Sequence, residues 1–377
     1  MKILLVGEYS RLHNSLKEGL IKHGNEVVIL GFNYGFKAFP IDLKIEKKWN
    51  CGIKGKIKNG IYRVTGFDIT SWLTYRQFSN ISSLFRGYDV VQLINENAFH
   101  CTPYFEMKIL RFLFKHNKRK FLLSCGDDYN NVKYYFAHPE IKSVIQPFLN
   151  GKIKDSDFLG VLKFRTRSFE QLHNFIYAHI DGVIATDIDY HIPLIGQPKY
   201  LGLIPNPVNT DNIEFAALDV SDKVNIFLGI NNAAYFKKGC DYFEEALEIL
   251  RNKYPGRIEI LVTRNLPYNQ YIKTYDSAHI ILDQTFSHDQ GYNALEAMAK
   301  GKVVFTGAEM EFVQYYKLSE SVNINSRPDA NLLVDSLSYL IENPNEINAI
   351  SKRARAFIEK EHYYIKIAAQ YLATWSK

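Results

Sequence analysis

The chain opens on Lys2-Ile-Leu-Leu-Val-Gly7, a short continuous apolar run closed by glycine, which predicts a buried parallel strand. Leu16, Leu20 and Ile21 then recur at helical spacing up to Gly24, so a helix with a glycine C-cap follows, and residues 27–30 read as the next strand. Apolar runs at 90–94, 121–125 and 182–185 repeat the alternation, with helical spacing between them. At Pro205-Asn206-Pro207 it breaks, because two prolines flanking one residue continue neither a helix nor a central strand. It restarts with strand-like runs at 224–229, 258–262, 280–282 and 303–305, and helical spacing at 242–252 and 294–300. Strands alternating with helices build parallel sheets covered on both faces. The pattern predicts an α/β protein of two Rossmann-like domains facing across a cleft, over residues 1–205 and 206–350. The stretch 346–375 has helical spacing throughout, and residues 351–377 are expected to pack back towards the first domain.

Length agrees with this division, since 377 residues at roughly 150 per domain exclude one small domain. Apolar residues make up 46% and charged residues 23%, which sets aside disordered and collagen-like classes. Forty-six Lys and Arg against forty Asp and Glu leave +6, a balance that suits phosphorylated substrates or anionic lipid; the richness in Ile, Asn, Tyr and Phe beside Lys is equally the mark of AT-rich codons. Basic residues do not interleave with aromatics as in a nucleic-acid module, so no nucleic-acid partner is expected. Cys51, Cys101, Cys125 and Cys240 lie far apart, without zinc-finger spacing or the pattern of a secreted disulfide framework, and point to a reducing compartment. The opening apolar run is too short for a signal-peptide core and no eighteen apolar residues run together, so the expected place is the cytosol, or the surface of a membrane. Residues 105–120 carry Met107, Leu110, Leu113 and Phe114 beside Lys108, Arg111, Lys115, Lys118, Arg119 and Lys120; they read either as a sheet-covering helix or as one that rests on anionic lipid.

In open α/β sheets ligands bind beyond the carboxyl ends of the strands. After the first strand, Gly7-Glu-Tyr-Ser-Arg-Leu-His13 lacks G-x-G-x-x-G, which weighs against a dinucleotide oxidoreductase. In the segment 283–302, polar residues follow a strand, Gly291 allows close backbone approach, and a helix beginning near Asn293 and Ala294 offers free N–H groups to a phosphate. Glu296, placed in that helix's first turn, can accept bonds from a ribose diol, or is simply an acid at the favourable end of a helix dipole. In 228–240, Lys237 or Lys238 on a Gly-punctuated loop can neutralise a diphosphate, or be an exposed loop lysine. Asp187-Ile-Asp189 has the form of a D-x-D metal motif, with helix N-capping as its ordinary explanation.

Together these segments resemble a retaining, nucleotide-sugar-dependent glycosyltransferase of the two-domain GT-B architecture, most similar to glycosyltransferase family four. Gly229 with Lys238-Gly239, Gly291, Glu296-Ala-Met-Ala299 and Gly301, the linker 204–209, and Ala354-Arg-Ala-Phe with His362 carry the resemblance. It implies a UDP- or GDP-linked donor on the second domain, with Lys238 on the diphosphate, Glu296 on the ribose, backbone N–H groups of Asn293 and Ala294 on phosphate, and no essential metal or other cofactor. His288, with Asp289 beside it, falls where the family carries its first acid, so both join the donor set. The family's arginine is absent, Asn231 and Asn232 lie nearby, and Arg264 is the candidate for the missing phosphate cation.

The resemblance also implies an acceptor wall on the first domain, for which Glu8, Ser10, His13, Asn95 and Asp127 follow strands. Asp127 is the favoured polar contact there, against an N-cap role, and His13 is equally a satisfied histidine at a helix start. Glu296, Lys238, His288 and Asp127 are the expected catalytic group. The resulting expectation is a hexosyltransferase acting on a glycan or lipid-linked acceptor of the cell envelope, such as a capsule or lipopolysaccharide precursor. A GT-B epimerase or phosphorylase, or a non-catalytic binder, are the competing readings.

Overall fold

The computed structural model describes residues 1–32, 39–220, 222–266 and 268–377. The first sheet has seven parallel strands in the order β3-β2-β1-β4-β5-β6-β7: β1 Lys2–Val6, β2 Glu26–Gly31, β3 Leu43–Lys44, β4 Val90–Leu93, β5 Arg119–Ser124, β6 Gly182–Ala185 and β7 Tyr200–Leu203. In the second, five parallel strands run β12-β11-β10-β8-β9, with β8 Val224–Ile230, β9 Ile258–Arg264, β10 Ile280–Leu282, β11 Val303–Thr306 and β12 Ile324–Asn325. The continuous apolar runs are central because helices cover both faces: Ile3, Leu4, Leu5, Val6, Val90, Val91 and Leu93 are buried, as are Ile226, Phe227, Leu228, Val303 and Val304.

Each sheet reverses its strand order at one place, between β1 and β4 in the first and between β8 and β10 in the second. The connections that leave two neighbouring strands there run to opposite faces of the sheet, which leaves a crevice beyond the strand ends. The two crevices meet.

The chain passes between the halves twice, and the two passages pair. Val208 N donates to His362 O at 2.7 Å and Tyr364 N donates to Val208 O at 3.2 Å, while the His362 ring Nδ1 lies 2.9 Å from Asn206 O. These bonds break the helical stretch read over 346–375 into two helices, Pro344–Glu361 and Tyr364–Trp375. The first packs on the second domain, with Ala354 and Phe357 in its core. The second returns to the first, placing Ile367, Ala368, Tyr371 and Trp375 in the core that surrounds β1.

The helix Pro103–His116 spends its apolar stripe inside, with Phe105, Ile109, Leu110, Leu113 and Phe114 buried, so it covers the sheet. Among the described residues no helix is long and apolar enough to cross a membrane.

Candidate active site

The meeting crevices form one cleft of about 640 Å³ between the domains. Its first-domain wall is Gly7 to Ser10 after β1, with Ala98 and His100 beyond β4; its second-domain wall carries Gly229 near the end of β8 and Asn231 just after it, Asp283 after β10, and Asn293 and Ala294. Lys238 reaches it from the loop after β8.

The two second-domain segments read from the sequence are joined here. Lys238 Nζ lies 2.8 Å from Asp283 Oδ1, and Thr285 N donates to Lys238 O at 3.0 Å. Burial works against the ammonium's charge, and the Asp283 carboxylate nonetheless holds its pKa above the ordinary lysine value. Gly239 makes this approach possible: its φ is +68°, and a Cβ there would stand 2.0 Å from Thr285 Oγ1. Beside Lys238, the helix Tyr292–Ala299 begins with Asn293 and Ala294 at the cleft. The Ala294 N–H expected for a phosphate is taken, since it donates to Gly291 O at 2.9 Å; what the wall offers a diphosphate is the fixed Lys238 cation beside the positive end of the helix dipole.

Several expected residues stand differently. Glu296 is the fifth residue of its helix, outside the first turn, half-buried, and not among the residues lining the cleft; its charge is felt by Tyr292 one turn back. Gly291 has an extended backbone with φ −70°, and a Cβ would meet only Gln284 Nε2 at 3.6 Å, so no close approach depends on it. Arg264 is not among the residues that line the cleft, although Thr263 and Asn265 beside it are; its guanidinium pairs with Glu244 and lies over the Tyr235 ring. His288 is buried at the seam between domains: its ring nitrogens face Lys142 O at 3.0 Å and Glu311 Oε2 at 3.4 Å, and its N–H donates to Asp189. Asp289 accepts from Ile188 N at 2.9 Å, tying the second domain to the start of the helix Ile188–Leu194.

On the first-domain side Glu8 and Ser10 line the cleft. Burial pushes the Glu8 carboxyl up to about 7 against the lowering bonds from Asn14; Oε2 accepts from Asn14 N and Nδ2, while Oε1 is buried with no hydrogen-bond partner among the described residues. His13 is not on the wall. It is wholly buried, with Nδ1 2.7 Å from Gly7 O, and burial pulls its pKa down to about 4. Asn95 is also inside, its amide donating to Cys125 O and Asp127 O, where it fixes the loop after β5. Asp127 does not cap the following helix, a task done by Asp128, which accepts from Asn131 N. It faces Lys237 across the domain boundary instead.

Asp187, Asp189 and Asp289 bring carboxylates within 4.8 Å of one another, a grouping that could hold a metal ion. Asp187 caps its helix by accepting from Tyr190 N, the ordinary explanation of the D-x-D, and the other two receive backbone N–H groups across the seam. Burial, and then repulsion from the neighbouring carboxylates, raises Asp187 and Asp289 well above the usual range, and burial raises Asp189.

Residues with no motif of their own complete the cleft: Asp283, which positions Lys238, and Tyr9 and His100, whose rings stack 6.0 Å apart. Asp283 follows an apolar strand run, and that placement is the signal that marks it in the sequence.

Two parallel-sheet domains whose switch points close on one cleft, with a lysine and a helix start on the second wall, define the GT-B class. Residues 237–373 match a family model described as glycosyl transferase-like. No curated protein matches the sequence. Solved structures of similar fold include a sucrose-phosphate synthase from Thermosynechococcus elongatus, at 15% identity and TM-score 0.63, covering 100% of this chain and 98% of that one. Anabaena Alr3699/HepE, solved in complex with UDP and glucose, matches at 13% identity and TM-score 0.57, covering 100% and 99%. S. aureus TarM, solved with fondaparinux, alpha-GlcNAc-glycerol and UDP, matches at 12% and 0.60, covering 100% of both chains. The chain therefore has the GT-B fold, and its residues 237–373 are similar to a glycosyl transferase-like domain.

Proposed function

We propose that this protein is a glycosyltransferase that binds a nucleotide-sugar donor on its second domain and passes the sugar to an acceptor hydroxyl held against the first. One observation carries the reading: Lys238, aligned by Asp283 and by the Gly239 turn, stands in the cleft beside the helix start at Asn293 and Ala294. When the bond from the anomeric carbon to the β-phosphate oxygen breaks, its electron pair stays on that oxygen. The Lys238 ammonium and the positive end of the helix dipole stabilise the added charge, which a preorganised site does without solvent rearrangement. The acceptor oxygen takes the anomeric carbon, and its proton passes to the departing diphosphate. Retention of configuration follows from the family-four resemblance of Leu295-Glu-Ala-Met-Ala299. UDP is the favoured nucleotide, by analogy with the UDP complexes of Alr3699/HepE and TarM. A cell-envelope glycan or lipid-linked precursor is the acceptor class in this reading, at the inner face of the membrane.

The test is thermal stabilisation by a panel of nucleoside diphosphates in the wild type, Lys238→Ala and Glu296→Ala. A ligand at 100 times its dissociation constant adds about 2.7 kcal/mol. A shift with UDP that Lys238→Ala erases, followed by turnover of a UDP-sugar, is the expected result; no shift with any nucleotide overturns the reading. The engagement of Arg264 with Glu244 favours a second reading, a protein that binds nucleotide without transfer. It predicts the stabilisation without turnover on any donor.

A further inference from the structure

Away from the cleft, the helix Gly52–Thr65 is exposed along nearly its whole length, with Gly55 its buried residue. Ile53, Ile57, Ile61 and Val64 fall at helical spacing on one stripe, on the side opposite Gly55. Three of them lie open: Ile53 is 78% exposed, Ile57 48% and Val64 86%. A soluble surface helix ordinarily turns such a stripe inward, and here it points away from the protein.

Charge frames the stripe. Lys54 and Lys58 fall on one flank and Lys56 and Arg63 on the other, and no acidic residue stands between Glu46 and Asp68. Long basic side chains beside an exposed apolar stripe lay their stems along it and lift their charges outward, the arrangement of a helix lying in a lipid interface. Just ahead of the helix, Lys47 donates to Phe99 O and His100 O at 2.7 and 3.1 Å, and His100 lines the cleft. The helix is thus tied to the first-domain wall, the side assigned to the acceptor.

We propose that the Gly52–Thr65 helix is a membrane-seating element that inserts Ile53, Ile57 and Val64 between the headgroups of an anionic bilayer, with Lys54, Lys56, Lys58 and Arg63 on the lipid phosphates. The surface is distinct from the helix Pro103–His116, whose stripe of Phe105, Ile109, Leu110, Leu113 and Phe114 is buried in the core. It requires no bound nucleotide, so it stands or falls apart from the donor reading.

Sedimentation of the full chain with vesicles of phosphatidylcholine alone, and of phosphatidylcholine mixed with phosphatidylglycerol, tests it. Binding is expected only to the anionic vesicles and weakens as salt rises. Ile53→Glu with Val64→Glu abolishes it, and Lys54→Gln with Lys56→Gln lowers affinity about fivefold for each cation removed. Leu159→Glu, at another exposed apolar residue, binds as the wild type does. Unfolding temperature and nucleotide binding of every variant stay at wild-type values, which separates loss of seating from loss of fold or donor site. Failure of the wild type to bind anionic vesicles, or equal binding by Ile53→Glu/Val64→Glu, overturns the proposal. So does a wild-type dimer in light scattering that those two substitutions dissolve without any vesicle binding, since the stripe would then cover a second copy of the chain.

Discussion

Lys237 Nζ, on the second domain, lies 3.1 Å from Asp127 Oδ2 on the first, while the next residue, Lys238, turns back to Asp283 within its own domain. Neighbouring lysines therefore divide two tasks, one bridging the domains and one facing the cleft. Lys152 with Asp241 and Lys142 with Glu309 also cross the boundary, at 2.6 and 2.5 Å. These part-exposed pairs each contribute at most about 1 kcal/mol, and salt screens them. Asp127→Asn is expected to change nucleotide affinity by less than about threefold and to give, in small-angle scattering at low salt, the more open envelope that the wild type adopts only at high salt. A loss of turnover with the envelope unchanged would make Asp127 a substrate contact instead.

Lys238→Ala removes a cation whose partner, Asp283, is buried. A charge-assisted bond to phosphate is worth about 1.5–3 kcal/mol, so nucleoside diphosphate affinity should fall roughly ten- to a hundredfold by calorimetry. Asp283→Asn should weaken it less, because the lysine keeps its charge and loses only its alignment.

Gly239→Ala places a methyl on a residue at φ +68°, 2.0 Å from Thr285 Oγ1. Strain in the left-handed region and overpacking each cost about 1 kcal/mol or more, so the unfolding midpoint should fall by several degrees. Adding the methyl at Gly60, where nothing lies within 4 Å and φ is ordinary, should leave it unchanged or slightly raised.

Burial raises Glu8 from 4.5 to about 7, so between those values the folded chain keeps a proton that the unfolded chain has released. The folded state therefore loses stability as pH rises through this window, by a few kcal/mol at most, about 1.4 for each pH unit. Glu8→Gln should flatten that slope and unfold at higher temperature than the wild type above pH 7. Parallel pH profiles of the two proteins would mean that Glu8 titrates as an ordinary surface carboxylate.

The residue pattern by itself determines the two parallel sheets, because a run such as Ile3-Leu-Leu-Val6 or Phe227-Leu228 with its neighbours is apolar on both faces and can be buried only between layers. It also brings Lys238, Asn293 and Ala294 into view, since residues that follow such runs must emerge at the strand ends. Strands of two residues, β3 and β12, leave no pattern long enough to read. Only the tertiary structure decides what each polar side chain faces. His13, Asn95 and His288 follow strands like the cleft residues and Arg264 ends one, yet each is taken by a partner that hydrophobic periodicity does not name: Gly7 O, Asp127 O, Lys142 O and Glu244. The break at His362 likewise comes from its bonds to Asn206 and Val208, more than 150 positions away. Burial is written in local periodicity, because each position's face follows from its own neighbours. Pairing is not, because it depends on which loops the two sheets bring together.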